Sequence, residues 1–194
     1  SNNYPNSSIN SNLKVFIRIR PPLPREKDKN LPFHPITYVE QDYQSISLME
    51  YVGTSTNELI QHEELITHRN NYLYHRYKFD YIFDMESTQE QVFNIAANPS
   101  VKSVLDGYNS TIIAYGQTGS GKTYTMEGFT FDPNSPNKGL IPRVIEEIYK
   151  FIENSNNLNN FNTFDEISVI SNFNVKITYL QLDNESIDDL LTPN

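Results

Sequence analysis

The feature that most constrains the fold of this chain is a glycine-rich segment placed between an apolar run and a short helix-forming stretch. Residues 116–123 read Gly-Gln-Thr-Gly-Ser-Gly-Lys-Thr, which matches the pattern G-x-x-x-x-G-K-[ST]. Thr111–Tyr115 precede this segment as a run that is apolar on both faces, which is typical of a buried central strand. Lys122–Glu127 predict a short helix after it. This strand, turn and helix order is the context that a phosphate-binding loop requires.

The residue types in this loop have a mechanical role. Glycines let successive backbone N–H groups turn inward around anionic phosphates, and the helix that follows presents the positive end of its dipole to them. Lys122 can reach the β- and γ-phosphates, and the Thr123 hydroxyl can complete the coordination shell of Mg²⁺. We therefore predict Lys122 and Thr123 as catalytic residues and Thr123 as the metal ligand. The other predicted phosphate-binding residues are Gly116, Gln117, Thr118, Gly119, Ser120 and Gly121.

The patterns on either side of the loop predict an α/β sheet with helices on its faces. Lys14–Arg20 alternate as a strand that stops at Pro21, and residues 21–45 form a proline-punctuated loop. Ser45–Val52 and Tyr72–Phe79 predict two strands of a small antiparallel lobe. Further predictions are a helix capped by Ser87 with Glu90 and interrupted at Pro99, a helix from Leu140, a strand over Val175–Leu182, and a short helix or turn over Ile187–Leu191.

Composition argues against nucleic-acid and membrane partners and excludes cysteine chemistry. The 194 residues carry 15 Lys and Arg against 24 Asp and Glu, a net charge of −9, which disfavours a nucleic-acid or anionic-membrane partner. With no Cys there is no disulfide framework and no thiolate site. Asparagine clusters at Asn2–Asn12 and Asn154–Asn162 predict loops or disorder without chemistry, and residues 1–12 are expected to be a flexible leader.

Gly107–Gly128 closely resemble the kinesin motor domain over an unbroken stretch. Other segments agree with that family in order and spacing: Arg18–Pro21, Tyr77–Asp80, Phe83–Asp84, Thr88–Phe93 and Gly139–Arg143. The resemblance implies an α/β P-loop NTPase fold of kinesin-motor type, with a mixed central sheet and helices on both faces. It also implies ATP and Mg²⁺ as cofactors. By the same resemblance Arg18, Arg20 and Pro21 border the adenine, and Tyr124 stacks on the adenine ring.

The resemblance also has gaps. The two γ-phosphate-sensing segments of the family, Asn-x-x-Ser-Ser-Arg-Ser-His and Asp-Leu-Ala-Gly-Ser-Glu, do not occur in the sequence, and Gln181–Glu185 depart from the family pattern. Residues 13–194 are therefore expected to be the N-terminal portion of a motor domain that is truncated before the switch regions. ATP hydrolysis and movement along microtubules, or their remodelling, would belong to the full-length parent in the microtubule cytoskeleton of the cytoplasm. Tubulin contacts would come from the absent C-terminal half, and the fragment alone would be inactive.

Two alternative functions remain open at this point. One is a catalytically silent nucleotide-binding module, since the switch segments are not seen. The other is a P-loop ATPase acting on nucleic acid, with Asp183 organising the magnesium, which the acidic charge disfavours. The four histidines, at positions 34, 62, 68 and 75, lack the spacing of a metal site. The acidic run of Asp183, Glu185, Asp188 and Asp189 predicts a solvated face near a helix N-terminus.

Overall fold

A computed structural model of the chain describes residues 13–27, 36–51, 72–129, 132, 134–159 and 173–192. Two compact units divide it, Ser1–Val144 and Ile145–Asn194. The first contains a parallel strand pair, an antiparallel lobe and short helices. The second contains most of a long helix and a β-hairpin. The predicted leader over residues 1–12 lies outside the described residues, as do His34, His62 and His68.

The first unit places two short strands side by side. Strand β1 (Phe16–Arg18) runs parallel to β5 (Tyr81–Phe83), with Arg18 opposite Phe83. The β1 strand was predicted, and β5 was not, because three residues are too few to show a period. Beyond the paired residues the Ile19 N–H donates to the Phe83 carbonyl at 2.8 Å. The hydrogen bonding between the two strands therefore extends to Ile19, the residue directly before Arg20.

The predicted antiparallel lobe is confirmed and has three strands. Strand β3 (Ser45–Tyr51) lies between β2 (Thr37–Val39) and β4 (Tyr72–Lys78), and both neighbours are antiparallel to it. The prediction of an uninterrupted loop over residues 21–45 is wrong, since that range holds β2 and a single 3₁₀ turn at Pro24–Glu26. The β2 strand forms because its partner β3 offers a free edge, which a local pattern does not reveal.

The helical segment after β5 begins one residue later than predicted. Thr88 caps helix α1 (Gln89–Val92) by accepting a hydrogen bond from the Gln91 N–H, and the Gln91 side chain completes the capping box. Ser87 instead donates its hydroxyl to Asp84 at 3.0 Å. The predicted division into two helical pieces is confirmed, but its predicted position at Pro99 is wrong. A π-helical turn (Phe93–Ala97) separates α1 from helix α2 (Asn98–Leu105), and Pro99 lies in the first turn of α2, where proline is tolerated.

The core of the first unit joins these elements. Its buried members are Phe83, Val92, Phe93, Ala97 and Leu140. Phe16, Ile112, Met126 and Val144 pack against them while partly exposed. The cluster thus links the strand pair and the π-helical turn with the segments that flank the glycine-rich loop, and it gives that loop a fixed support.

The prediction of a buried strand over Thr111–Tyr115 is wrong. Within the part of the chain that the structure describes, this segment is irregular and pairs with no strand, and Ile113 and Tyr115 are 81% and 97% exposed. An apolar run becomes a central strand only where neighbouring strands supply hydrogen bonds on both sides. Only Ile112 packs against the core here.

The C-terminal predictions are partly wrong. Helix α3 (Lys122–Met126) and helix α4 (Leu140–Asn159) form as expected, although α4 extends into the asparagine-rich stretch that was predicted as loop. Strand β6 covers Leu180–Asp183, so the predicted strand from Val175 begins five residues late, and β7 (Ser186–Asp189) replaces the predicted helix or turn.

A two-residue turn explains this hairpin. Asn184 and Glu185 have positive φ values of 45° and 70°, as in the tight turns that match the twist of paired strands. The acidic run is exposed as predicted, but it lies on the hairpin and not at a helix N-terminus. Asp189 accepts hydrogen bonds from the Leu191 N–H and the Thr192 hydroxyl, and these lower the pKa of its carboxyl.

Candidate functional site

The glycine-rich loop enters helix α3 through a left-handed residue. Gly121 caps the helix with φ of 100°, a conformation that costs a side-chain-bearing residue about 1 kcal/mol or more. A Cβ at Gly119 or Gly121 would meet no atom within 4 Å, so the space beside both residues is open. At Gly116 a Cβ would come 2.6 Å from the Ser120 hydroxyl oxygen. Glycines therefore allow the loop to close on itself while its outer side remains accessible.

Lys122 organises the loop from its centre. Its ammonium donates hydrogen bonds to the carbonyl oxygens of Gly116 at 2.9 Å and Gln117 at 3.0 Å. The Ser120 N–H donates to the Gln117 carbonyl at 3.1 Å, which tightens the same turn. The loop is thus wrapped around a cation, and a cation in a ring of small residues suits an anionic ligand.

The residues beside Lys122 fit a nucleotide with its magnesium. Thr123 is exposed in the first turn of α3, where its hydroxyl can reach solvent or a ligand. Mg²⁺ prefers oxygen ligands and is usually held by few protein groups together with substrate phosphates. Gln117 and Thr118 are exposed at the apex of the loop. An oxygen donor, a cation and open space beside two glycines are together what a magnesium-bound phosphate chain requires.

Arg18 and Tyr124 form a second part of the site. The Arg18 guanidinium lies over the Tyr124 ring, 5.1 Å from its centroid, and donates to the Thr125 hydroxyl at 3.0 Å. Burial lowers the pKa of Arg18, while the neighbouring Tyr124 hydroxyl raises it. The other aromatic neighbour is Phe129, whose ring centroid is 4.6 Å from that of Tyr124. A cation on an aromatic face holds the ring in place.

Arg20 is tied directly to the phosphate-binding loop. Its Nε donates to the Gly119 carbonyl at 2.8 Å, and its two terminal nitrogens form a bidentate pair with Glu26, each at 2.6 Å. One of those nitrogens also donates to the carbonyl of Pro21, which is exposed. The structure therefore brings Arg20 and Pro21 next to the loop, as the sequence predicted, and supplies Glu26 as an unpredicted partner.

The Arg20–Glu26 pair makes the stability of the fold depend on pH. Hydrogen bonds from Arg20 and from the Leu23 N–H lower the pKa of Glu26 from 4.5 to about 2. A lowered carboxyl pKa stabilises the folded state above the unfolded-state value, and this contribution disappears as the pH falls from about 4.5 towards 2. We expect the wild-type protein to be more stable than Glu26→Gln by a constant margin between pH 5 and 8. That margin should shrink below pH 4.5.

Urea unfolding of both proteins across this pH range measures the margin. An unchanged margin down to pH 3 would contradict the lowered pKa.

Gln89 is the residue that the sequence did not single out. Its side chain is 1% exposed, accepts a hydrogen bond from Arg18 at 2.7 Å, and donates to the Tyr124 carbonyl at 2.6 Å. A further contact reaches the Asn137 carbonyl at 3.2 Å. A polar residue at the start of a helix normally indicates capping. The local sequence therefore does not distinguish Gln89, which contacts the site, from Gln91, which completes the cap. Glu26 was missed for a similar reason, because its partner is six residues away.

Other chemistry is sparse in the described ranges. Among residues 13–27, 36–51, 72–129, 132, 134–159 and 173–192, no three His, Cys, Asp or Glu side chains converge as a metal site. His75 lies 2.9 Å from Glu50 across the β3–β4 pair. None of the helices in this part of the chain has the length and apolar character needed to cross a bilayer.

Comparisons with known proteins add to this geometry. A family model described as the kinesin motor domain matches residues 18–194. Human chromosome-associated kinesin KIF4A is 42% identical over 120 residues, 61% of this chain and 9% of that protein. Kinesin-related protein 13 of Dictyostelium discoideum is 33% identical over 183 residues, 94% of this chain and 12% of that protein. Human kinesin-1 heavy chain is 42% identical over 116 residues, which are 59% of this chain and 10% of that protein. The chain spans about a tenth of the length of these relatives.

Proposed function

Because the chain belongs to the kinesin motor domain family, and so has the α/β fold of P-loop NTPases, we propose that it is the ATP-binding part of a microtubule motor. In this proposal residues 13–194 are the N-terminal portion of the motor domain. The complete protein couples ATP hydrolysis to movement along microtubules or to their remodelling, in the cytoskeleton of the cytoplasm. ATP and Mg²⁺ are its cofactors.

The observation that carries the proposal is the wrapping of Gly116–Gly121 around the Lys122 ammonium, 2.9 and 3.0 Å from two loop carbonyls. When phosphates bind, this ammonium can exchange carbonyl oxygens for phosphate oxygens without leaving the loop. Thr123 would hold the Mg²⁺, which supplies charge neutralisation for the phosphates. The roles of these residues in binding and catalysis are part of the proposal.

The base-binding part of the proposal rests on Tyr124. Arg18 and Gln89 hold this residue from the ring and from the backbone, at 5.1 and 2.6 Å. A fixed aromatic ring next to a phosphate loop suits the stacking of a purine base. Pro21 and Arg20, joined to the loop through Gly119, would border the same base.

Microtubules are proposed as the partner because two of the relatives are kinesins in name and one family model covers most of the chain. The net charge of −9 argues against these 194 residues supplying the main contact with an acidic polymer surface. Tubulin contacts are therefore assigned to other parts of the complete protein. The same charge argues against the alternative of an ATPase acting on nucleic acid, and no membrane partner is proposed.

A microtubule gliding assay with the surface-bound complete protein tests the proposal. We expect microtubules to glide or to change length when ATP is present, and neither to happen with ADP. Tight ATP binding without gliding, length change or hydrolysis would instead support a catalytically silent nucleotide-binding module.

Replacing Tyr124 by alanine should weaken ATP binding selectively. Aromatic stacking on a base contributes about 1–3 kcal/mol, so the Kd for ATP should rise by roughly 5- to 150-fold. The Kd for tripolyphosphate, which has no base, should stay the same because the loop is untouched. Calorimetric titration of both ligands gives this comparison, and Tyr124→Phe is the matched variant that keeps the ring. Equal losses for both ligands, or no loss, would argue against stacking.

A further inference from the structure

The buried side chain of Gln89 forms hydrogen bonds with three segments of the candidate site. Its amide lies at the first position of helix α1, with a side chain that is 1% exposed. From there it reaches Arg18 on β1, Tyr124 on α3 and Asn137 in the loop before α4. Val92 at the end of α1 and Phe93 directly after it belong to the buried core cluster.

The chemistry of this contact needs an amide. The Gln89 oxygen accepts from the Arg18 guanidinium, while its nitrogen donates to two backbone carbonyls. A carboxylate would keep the first bond and place an oxygen against two carbonyl oxygens. An apolar side chain would leave two part-buried carbonyl acceptors and part of a guanidinium without their partner, which is unfavourable for each of these groups. Glutamine and asparagine combine an acceptor oxygen with two N–H donors, and asparagine is one methylene shorter.

The same amide controls the ring of Tyr124 from two directions. It holds the Tyr124 backbone through the carbonyl at 2.6 Å, and it orients Arg18, whose guanidinium lies 5.1 Å from the centroid of that ring. Thr125 supplies only a second acceptor for Arg18. Gln89 therefore holds the Tyr124 ring from a buried position outside the phosphate-binding loop.

We propose that Gln89 is a positioning residue that strengthens base binding at the site by holding Arg18 and Tyr124 in place beside the phosphate-binding loop. This inference rests on the proposed ATP-binding function. It assigns the site two separable parts. Lys122 and its loop recognise the triphosphate, and Arg18 and Tyr124, which Gln89 holds in place, recognise the base.

Gln89→Met in the complete protein tests the inference, because methionine has a similar volume and forms no such hydrogen bonds. We expect the Kd for ATP to rise about tenfold while the Kd for tripolyphosphate changes less than about twofold, so that the ratio of the Kd for ATP to the Kd for tripolyphosphate rises at least about fivefold. In turnover, KM for ATP should rise while kcat stays near the wild-type value. Gln91→Met is the matched control, since it removes an amide from the capping box of the same helix without reaching Arg18 or Tyr124.

The possible results separate two failures. If the wild-type protein binds neither ATP nor tripolyphosphate, the proposed function is wrong and the inference falls with it. If the wild type binds both and Gln89→Met weakens both equally, or weakens neither, the inference is wrong and the proposed function stands. Should Gln89→Met fail to fold, Gln89→Glu replaces it. That variant keeps the bond to Arg18 and loses the donors to Tyr124, so an unchanged ratio of the two Kd values overturns the inference.

Discussion

Replacing Lys122 by alanine is expected to abolish productive ATP binding and ATP turnover in the complete protein. The change removes the side chain that donates to the loop carbonyls of Gly116 and Gln117. It also removes the cation that would meet the phosphates. Each charge-assisted hydrogen bond from Lys122 to a phosphate oxygen would contribute about 1.5–3 kcal/mol, so the loss of two such bonds should raise the Kd for ATP by at least about 100-fold.

Titration of ATP into the variant and measurement of its hydrolysis rate check this expectation. Lys102→Ala is the matched control, because Lys102 is exposed on α2 and lies outside the candidate site. The control should bind ATP as the wild type does. Wild-type affinity and turnover in Lys122→Ala would remove the assignment of residues 116–123 as the phosphate-binding loop.

Among the substitutions considered, replacing Phe83 by alanine should lower the free energy of unfolding most. Phe83 is 2% exposed, and its ring lies 4.9 Å from the ring of Tyr81 and 6.2 Å from that of Phe16. Truncating a buried phenylalanine costs about 3–5 kcal/mol, because apolar contacts are lost and a cavity remains. ATP binding should weaken as well, since the strand pair that carries Arg18 packs on this side chain.

Urea unfolding measures this loss as a change in the free energy of unfolding. Tyr108→Ala is a suitable control, because this aromatic side chain is 71% exposed and its loss should change stability by less than about 0.5 kcal/mol. A loss of stability under 1 kcal/mol in Phe83→Ala would mean that the buried cluster does not support the site as described.

The candidate site was predictable where its signal is local. Residues 116–123 have the fixed spacing and the residue types of a phosphate-binding loop. The sequence alone therefore indicates where the site lies and that its ligand carries phosphates. The helix from Leu140 was also predictable, because its apolar positions recur over several turns. In both cases the information lies within a few neighbouring residues.

Predictions failed where the structure depends on partner residues or backbone conformations that no sequence pattern reports. Thr111–Tyr115 have the composition of a central strand, yet the described residues supply no neighbouring strand. The β6–β7 hairpin depends on positive φ at Asn184 and Glu185, and glutamate is an unusual residue for that conformation. Gln89 and Glu26 work through arginines in other segments, at separations of 71 and 6 residues. No periodicity or motif reports such pairs.

The ATPase rate of the complete protein, measured alone, with microtubules and with single-stranded nucleic acid, tests the central claim most directly. We expect a low basal rate that microtubules raise at least tenfold and that nucleic acid leaves unchanged. Lys122→Ala should show no activity under any of the three conditions. A rate that rises with nucleic acid and not with microtubules would contradict the account, and so would complete absence of hydrolysis in the wild-type protein.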